Sequence, residues 1–162
     1  MSTGIVFYSR SNNTRVAAEF LAGKLKAELI ELVEKGERKG FAGFIKSGYQ
    51  AASGKKSELQ GEPWKNATKH EKLYLLTPIW GGSITPAMNV FLGHADFEGR
   101  EVTVITLQAD SKGSGSEKVH EKVKEKVERG GGKFLRGVPL HSAAPGKFAG
   151  KDYIESQIDI TF

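Results

Sequence analysis

Five of the six residues from Ser9 to Thr14 carry a hydroxyl or amide side chain, in the sequence Ser-Arg-Ser-Asn-Asn-Thr. They lie between an apolar run, residues 3–8, and an amphipathic stretch that begins near Thr14. The backbone N–H groups in the first turn of a helix have no partners within that helix, and the helix dipole places partial positive charge there. A junction of this kind suits a phosphate group, which neutral dipoles would hold because Arg10 is the one charged residue of the six.

The same six residues also allow a purely structural interpretation. Ser and Asn are common at helix N-caps and in turns, and the loop by itself favours neither interpretation. Its position after the first strand of an alternating chain favours the phosphate. The predicted donors are then the hydroxyls and amides of Ser9, Ser11, Asn12, Asn13 and Thr14. Arg10 either approaches the phosphate or points to solvent. We expect the second, because the loop aims its backbone N–H groups inward and these can bind the phosphate.

Strand and helix patterns alternate along the chain. Apolar runs predict strands at residues 3–8, 29–33, 72–77, 101–107 and 133–141. Helical spacing predicts helices at 14–26, from Pro86, at 117–129 and at 149–157, with a weak helix at 41–53. Five strands with intervening helices predict an α/β domain whose parallel sheet is covered on both faces. Ligands bind beyond the carboxyl ends of such strands, where loops 9–14, 78–85 and 108–116 should meet.

Composition bounds the class of protein. The 162 residues suit a single domain, 1–162, and 38% hydrophobic with 27% charged residues is typical of a globular chain. No apolar run is long enough to span a membrane, and the first residues do not resemble a signal peptide. The absence of cysteine excludes disulfides, thiol catalysis and thiolate metal sites, and it fits the cytoplasm.

The net charge of +5 comes largely from one segment, residues 35–56, which holds six basic residues and one acid, Glu37. This segment either meets an acidic partner or forms an ordinary solvated surface, and the second interpretation is favoured. No nucleic-acid motif accompanies the charge, so a nucleic-acid partner is not expected. The four histidines lack metal-ligand spacing, so no metal site is predicted. His70 and His120 stand among charged residues, and we expect both at the surface.

Three loops in this order, on this pattern, resemble the flavodoxin family. Residues 9–14 resemble its phosphate loop, with Asn12 where glycine is usual. The second flavin loop is matched by Thr77, Pro78, Ile79, Trp80, Gly81 and Gly82, and the third by Gln108, Ala109, Asp110 and Gly113. The resemblance implies a doubly wound, five-stranded parallel sheet in the order 2-1-3-4-5. It also implies bound FMN, with its phosphate on the first loop and its ring between the second and third.

Individual residues fit this resemblance or depart from it. Trp80 either stacks on the flavin ring or plugs the edge of the sheet. Gly81 either allows its peptide to rotate toward the flavin, as in flavodoxins, or serves only as a turn residue. Flavodoxins are usually acidic, whereas this chain is basic, and its third loop has no aromatic side chain between Gln108 and Gly115.

The resemblance implies an FMN-binding protein that shuttles electrons between redox partners. No catalytic residue is needed for that role, and none is evident. The partners are expected to be redox proteins, some of them acidic, that dock near the flavin edge and the basic 35–56 segment. Three alternatives remain open: a two-electron NAD(P)H-dependent flavin or quinone reductase, a flavodoxin-like activator of a partner enzyme, and a domain that has lost flavin.

Overall fold

The computed structural model describes residues 1–35, 58–113, 115–144 and 146–162. The strands are β1 Thr3–Phe7, β2 Glu28–Glu31, β3 Lys72–Trp80, β4 Ser83–Ile84, β5 Glu101–Gln108 and β6 Lys133–His141. The helices are α1 Asn13–Leu25, α2 Pro63–Ala67, α3 Pro86–His94, α4 Ser116–Arg129 and α5 Lys151–Thr161. The predicted weak helix at 41–53 and most of the basic 35–56 segment lie outside the described residues.

Five parallel strands form the sheet in the order β2-β1-β3-β5-β6. Counting only these long strands, the order is 2-1-3-4-5, so the predicted fold class is confirmed. The two-residue strand β4 turns back and pairs antiparallel with the end of β3, Trp80 opposite Ser83. The sequence did not predict β4, because two residues are too few to show a hydrophobic period.

Helices cover both faces of the sheet. On one face, α1 and α5 bury residues that include Leu21 and Ile154 against β1 and β5. On the other face, α3 and α4 bury residues that include Phe91 and a row of valines along α4, Val119, Val123 and Val127. In β5, which lies between β3 and β6, residues 102–107 are all buried, as expected for a strand covered on both faces.

The expectation that His70 and His120 lie at the surface is wrong. His70 is 8% exposed, packs beside Gly4 and forms a 2.9 Å hydrogen bond with the Glu28 carboxylate. His120 is partly buried beside Gly137, and its Nε2 lies 2.8 Å from the Thr106 hydroxyl. In both cases a glycine on a nearby strand leaves room for the imidazole ring. The charged residues next to each histidine in the sequence give no sign of this contact.

No helix in the described ranges has the length and apolar character needed to cross a membrane.

Replacing Gly137 with alanine should destabilise the fold. A Cβ at this position would stand 2.2 Å from His120 Nδ1, so the ring or the strand must shift. Overpacking of this kind costs about 1–3 kcal/mol, which urea denaturation will measure. The matched control is Gly23→Ala in α1, where a Cβ meets nothing within 4 Å. That change should raise the free energy of unfolding by roughly 0.5–1 kcal/mol. A Gly137→Ala variant as stable as the parent would contradict the packing described here.

The free energy of unfolding should decrease as the pH is lowered below about 6.5, in part because of His120. Burial lowers the pKa of His120, although Glu117 opposes the shift. Between the lowered pKa and the ordinary one, the unfolded chain binds more protons than the folded chain, so the free energy of unfolding falls as pH falls. Urea midpoints from pH 7.5 to 5 should therefore fall less steeply for His120→Gln than for the parent. His94→Gln, at an exposed histidine, is the control for removing an imidazole.

Candidate cofactor cleft

A cleft opens at the carboxyl edge of the sheet, where the turns after β1, β3 and β6 come together. It encloses about 50 Å³, room for a few water molecules or one small anionic group. Its described lining comprises Ser9, Arg10, Ser11, Asn13, Thr14, Pro78, Ile79, Trp80, Leu107, Ser142, Ala143, Ala144 and Gly146. The structure thus brings most of the first predicted loop together with part of the second.

Asn12 shapes the first loop through its backbone. It is the N-cap of α1 and has a φ of 70°, in the left-handed region. Its carbonyl accepts the first helical bond, from the Val16 N–H at 3.1 Å. Asn is one of the few residues other than glycine that enter this region readily, so it can stand where flavodoxins have glycine. Its side chain is exposed and does not line the cleft.

Ser9 carries the clearest sign of a ligand. Its hydroxyl oxygen is buried and, among the described residues, has no hydrogen-bond partner. Buried hydroxyls are almost always paired, and leaving one unpaired costs about 1–3 kcal/mol. The hydroxyl lines a cleft at the N-terminal end of α1, where backbone N–H groups favour an anion. Arg10, partly exposed, also lines this cleft. The donor set therefore fits a phosphate group.

Asn13 builds the wall of the cleft. Its side-chain Nδ2 donates to the Lys147 carbonyl and its Oδ1 accepts from the Ala149 N–H, both at 2.8 Å. These two bonds hold the segment after β6 against the start of α1. One of the two N–H donors of the Asn13 amide thus bonds to the Lys147 carbonyl, and the role of Asn13 as a phosphate donor stays a prediction.

In the second loop, one residue is buried in the core and three others line the cleft. Thr77 is fully buried, and its hydroxyl lies 3.0 Å from that of Thr85, the N-cap of α3. Thr77 therefore fixes the end of β3 and does not line the cleft. Pro78, Ile79 and Trp80 do line it. Trp80 is 7% exposed and packs edge-on against Tyr8, with ring centroids 5.4 Å apart. Trp80 therefore fills the edge of the sheet and also forms a wall of the cleft.

Gly81 and Gly82 form the two-residue turn between β3 and β4, with φ values of 55° and 72°. Positive φ at both positions is the requirement of a type I′ turn, which residues other than glycine, Asn and Asp rarely meet. Rotation of the peptide between them would give a type II′ turn, in which only the first residue needs positive φ. Both residues are exposed, and neither is part of the cleft lining.

The third loop lies beside the cleft and does not line it. Gln108 is buried at the end of β5, and its carbonyl accepts from the Ser142 N–H at 2.7 Å. The Ala109 carbonyl lies 3.1 Å from His141 Nε2. Asp110 and Gly113 border a second cavity of about 80 Å³, together with Ser111, Lys112, Pro139, Leu140 and His141. Leu107 is the residue of β5 that reaches the first cleft.

The cleft is also lined by four residues for which the sequence predicted no role, Ser142, Ala143, Ala144 and Gly146. The available signal was their position directly after a parallel strand of the same sheet, since the carboxyl ends of such strands share one edge. No group of three or more metal-ligating side chains occurs in the described ranges.

Because the backbone at Asn12 is left-handed, the effect of a substitution there on stability should depend on how readily the new residue adopts positive φ. Asn12→Gly should leave the free energy of unfolding almost unchanged, because glycine accepts this φ at no steric cost. Asn12→Val should lower it by about 1–2 kcal/mol, because a β-branched side chain is strained there. Urea denaturation of the two variants measures the difference. Equal stability would contradict the assigned φ.

No protein-family model matches the sequence, and no curated protein matches it significantly. Solved structures do match over nearly the whole chain. The Trp repressor binding protein from Bacillus subtilis superposes with a TM-score of 0.71 at 14% identity, covering 100% of both chains. A flavoprotein from Lactobacillus acidophilus, solved in complex with FMN, gives 0.65 at 18% identity over 85% of this chain and 92% of that chain.

Flavodoxin 1 from Bacillus cereus gives a TM-score of 0.57 at 17% identity, covering 99% of this chain and 94% of that chain. At such low identity these likenesses establish the fold alone. Together with the strand order they lead to one conclusion: the chain has the flavodoxin-like fold.

Proposed function

We propose that this chain binds FMN and carries electrons between redox proteins. The observation that carries the proposal is the buried Ser9 hydroxyl, unpaired among the described residues, at the N-terminal end of α1 and in one cleft with Trp80. Residues 9–14 would hold the phosphate, and residues 78–80 would contact the flavin ring. The structural likeness to a flavoprotein solved with FMN supports the same cofactor.

The chain's contribution would be binding and orientation. FMN supplies the chemistry when bound, since it can take up one or two electrons. The described cleft lining offers hydroxyls, backbone groups, apolar side chains and the Arg10 cation, but no carboxylate or imidazole. This lining suits an anionic cofactor better than acid–base catalysis. The glycine pair at 81 and 82 would let the adjoining peptide rotate as the flavin changes its protonation.

Redox partners of acidic character would fit the charge of the chain. Lys and Arg outnumber Asp and Glu by 24 to 19, and the excess is concentrated in the basic 35–56 segment. Long-range attraction of this kind would raise the rate of encounter more than the affinity. Docking would place the partner near the flavin edge, as one-electron transfer requires.

A two-electron flavin or quinone reductase is the second candidate. The observation that favours it is the placement of the third loop, whose residues 108–113 lie outside the first cleft. One face of the ring would then be left open to a nicotinamide or a quinone.

FMN should bind much more tightly than riboflavin, which lacks the phosphate. A hydrogen bond to a charged group contributes about 1.5–3 kcal/mol, which corresponds to roughly ten- to hundredfold in affinity. Ser9→Ala should therefore weaken FMN at least about tenfold and leave riboflavin unchanged. Quenching of flavin fluorescence by the apoprotein measures both constants. Ser156→Ala, at an exposed serine of α5, is the control.

Equal affinity for FMN and riboflavin would contradict the phosphate site. Failure to bind either flavin would overturn the proposed function, whereas the assignment of the fold would stand.

Stepwise photoreduction without oxygen separates the carrier from the reductase. A carrier should give a long-lived, one-electron-reduced blue flavin and oxidise NAD(P)H slowly. A reductase should bleach directly to the two-electron-reduced form and oxidise NAD(P)H rapidly in the presence of a quinone. The absorbance spectrum and the rate of NAD(P)H loss provide the two readouts.

A further inference from the structure

A buried carboxylate stands behind the aromatic wall of the cleft. Glu34 is 8% exposed, and its Oε1 accepts a 2.5 Å hydrogen bond from the Tyr8 hydroxyl. The Tyr8 ring in turn meets Trp80 edge-on, at an interplanar angle of 82°. Trp80 lines the cleft, so a continuous set of contacts runs from Glu34 to the candidate cofactor site.

The backbone fixes both ends of this set of contacts. Glu34 forms an isolated antiparallel bridge with Leu59, flanked by hydrogen bonds from Gln60 N–H to the Val33 carbonyl and from Lys35 N–H to the Glu58 carbonyl. Tyr8 follows β1 directly and donates its N–H to the Leu76 carbonyl at 3.2 Å. The carboxylate and the ring are therefore each held by main-chain structure.

The hydrogen bond controls the direction of the Tyr8 ring. A hydrogen bond to a charged acceptor contributes about 1.5–3 kcal/mol, so its loss removes a strong restraint on the Tyr8 side chain. The ring would then turn more readily, and the edge-on contact with Trp80 would be weakened with it. Edge-to-face geometry depends on the mutual angle of the two rings, so Trp80 would no longer be held in one orientation.

We propose that Glu34 is a positioning residue for the cleft: it holds Tyr8, and Tyr8 holds Trp80 in the orientation that receives a planar cofactor ring. The identity of that ring rests on the proposed function, whereas the orientation of Trp80 does not. Preorganisation of this kind raises affinity because the protein orders less on binding.

The first test needs no cofactor. Trp64→Phe removes the other of the two tryptophans, so that the tryptophan band in the near-ultraviolet circular dichroism of this variant reports Trp80 alone. Trp64 stacks on His94 and is not part of the cleft lining. Tyr8→Phe and Glu34→Ala should each weaken the Trp80 band strongly. Glu34→Gln should retain it, because the amide oxygen can still accept from the Tyr8 hydroxyl.

The second test is the dissociation constant for FMN. Glu34→Ala and Tyr8→Phe should each weaken binding about fivefold, which corresponds to the loss of one modest hydrogen bond. The double variant should be no weaker than either single one, because both changes break the same contact. Glu34→Gln should stay close to the parent.

Glu28→Ala is the matched control. It removes the acceptor of buried His70 at the opposite end of the sheet, so it should lower stability without changing the Trp80 band or FMN affinity. If Glu34→Ala and Tyr8→Phe behave like this control, Glu34 has a structural role only and the proposal is overturned. If the band weakens while the parent protein binds no FMN, the positioning role is supported and the proposed function fails.

Discussion

The parallel register of the sheet is the constraint on which the cleft depends. Phe7 of β1 lies opposite Leu76 of β3, Pro78 of β3 opposite Leu107 of β5, and Gln108 of β5 opposite His141 of β6. Because these strands run in one direction, the turns that follow them open at one edge. Each turn would lie elsewhere if one strand slipped or reversed, and the donors at residues 9–14 would lose the wall that faces them.

Two sets of polar contacts turn that edge into a shaped site. The bonds from the Asn13 side chain hold the segment after β6 to the start of α1. The buried Thr77 and Thr85 hydroxyls join the end of β3 to the cap of α3. Both contacts use side chains whose types suggest ligand binding. Here they build the walls, whereas the Ser9 hydroxyl, which has no partner in the described part of the chain, lines the cleft.

Much of the architecture could be predicted from the sequence, because long apolar runs and helical spacing report burial directly. Residues 133–141 were predicted as a strand with the bounds that the structure gives β6. Positions decided by tertiary contact could not be predicted. The slot for His120 depends on Gly137 of β6, and the site role of Ser142 depends on how β6 aligns with β5. The third loop was expected beside the flavin ring, which stays a prediction; its backbone is bonded to His141 and Ser142, and residues 108–113 are not part of the lining of the first cleft.

The most direct test of the cleft is an amide NMR titration of ¹⁵N-labelled protein with FMN. We predict that the largest shift changes fall on the N–H groups of residues 9–14, 79–82, 142–144 and 146. Smaller changes are expected at residues 110–113, which border the neighbouring cavity. Changes centred on the groove between α1 and α5, or no saturable change at all, would contradict the assignment of the cleft as the cofactor site.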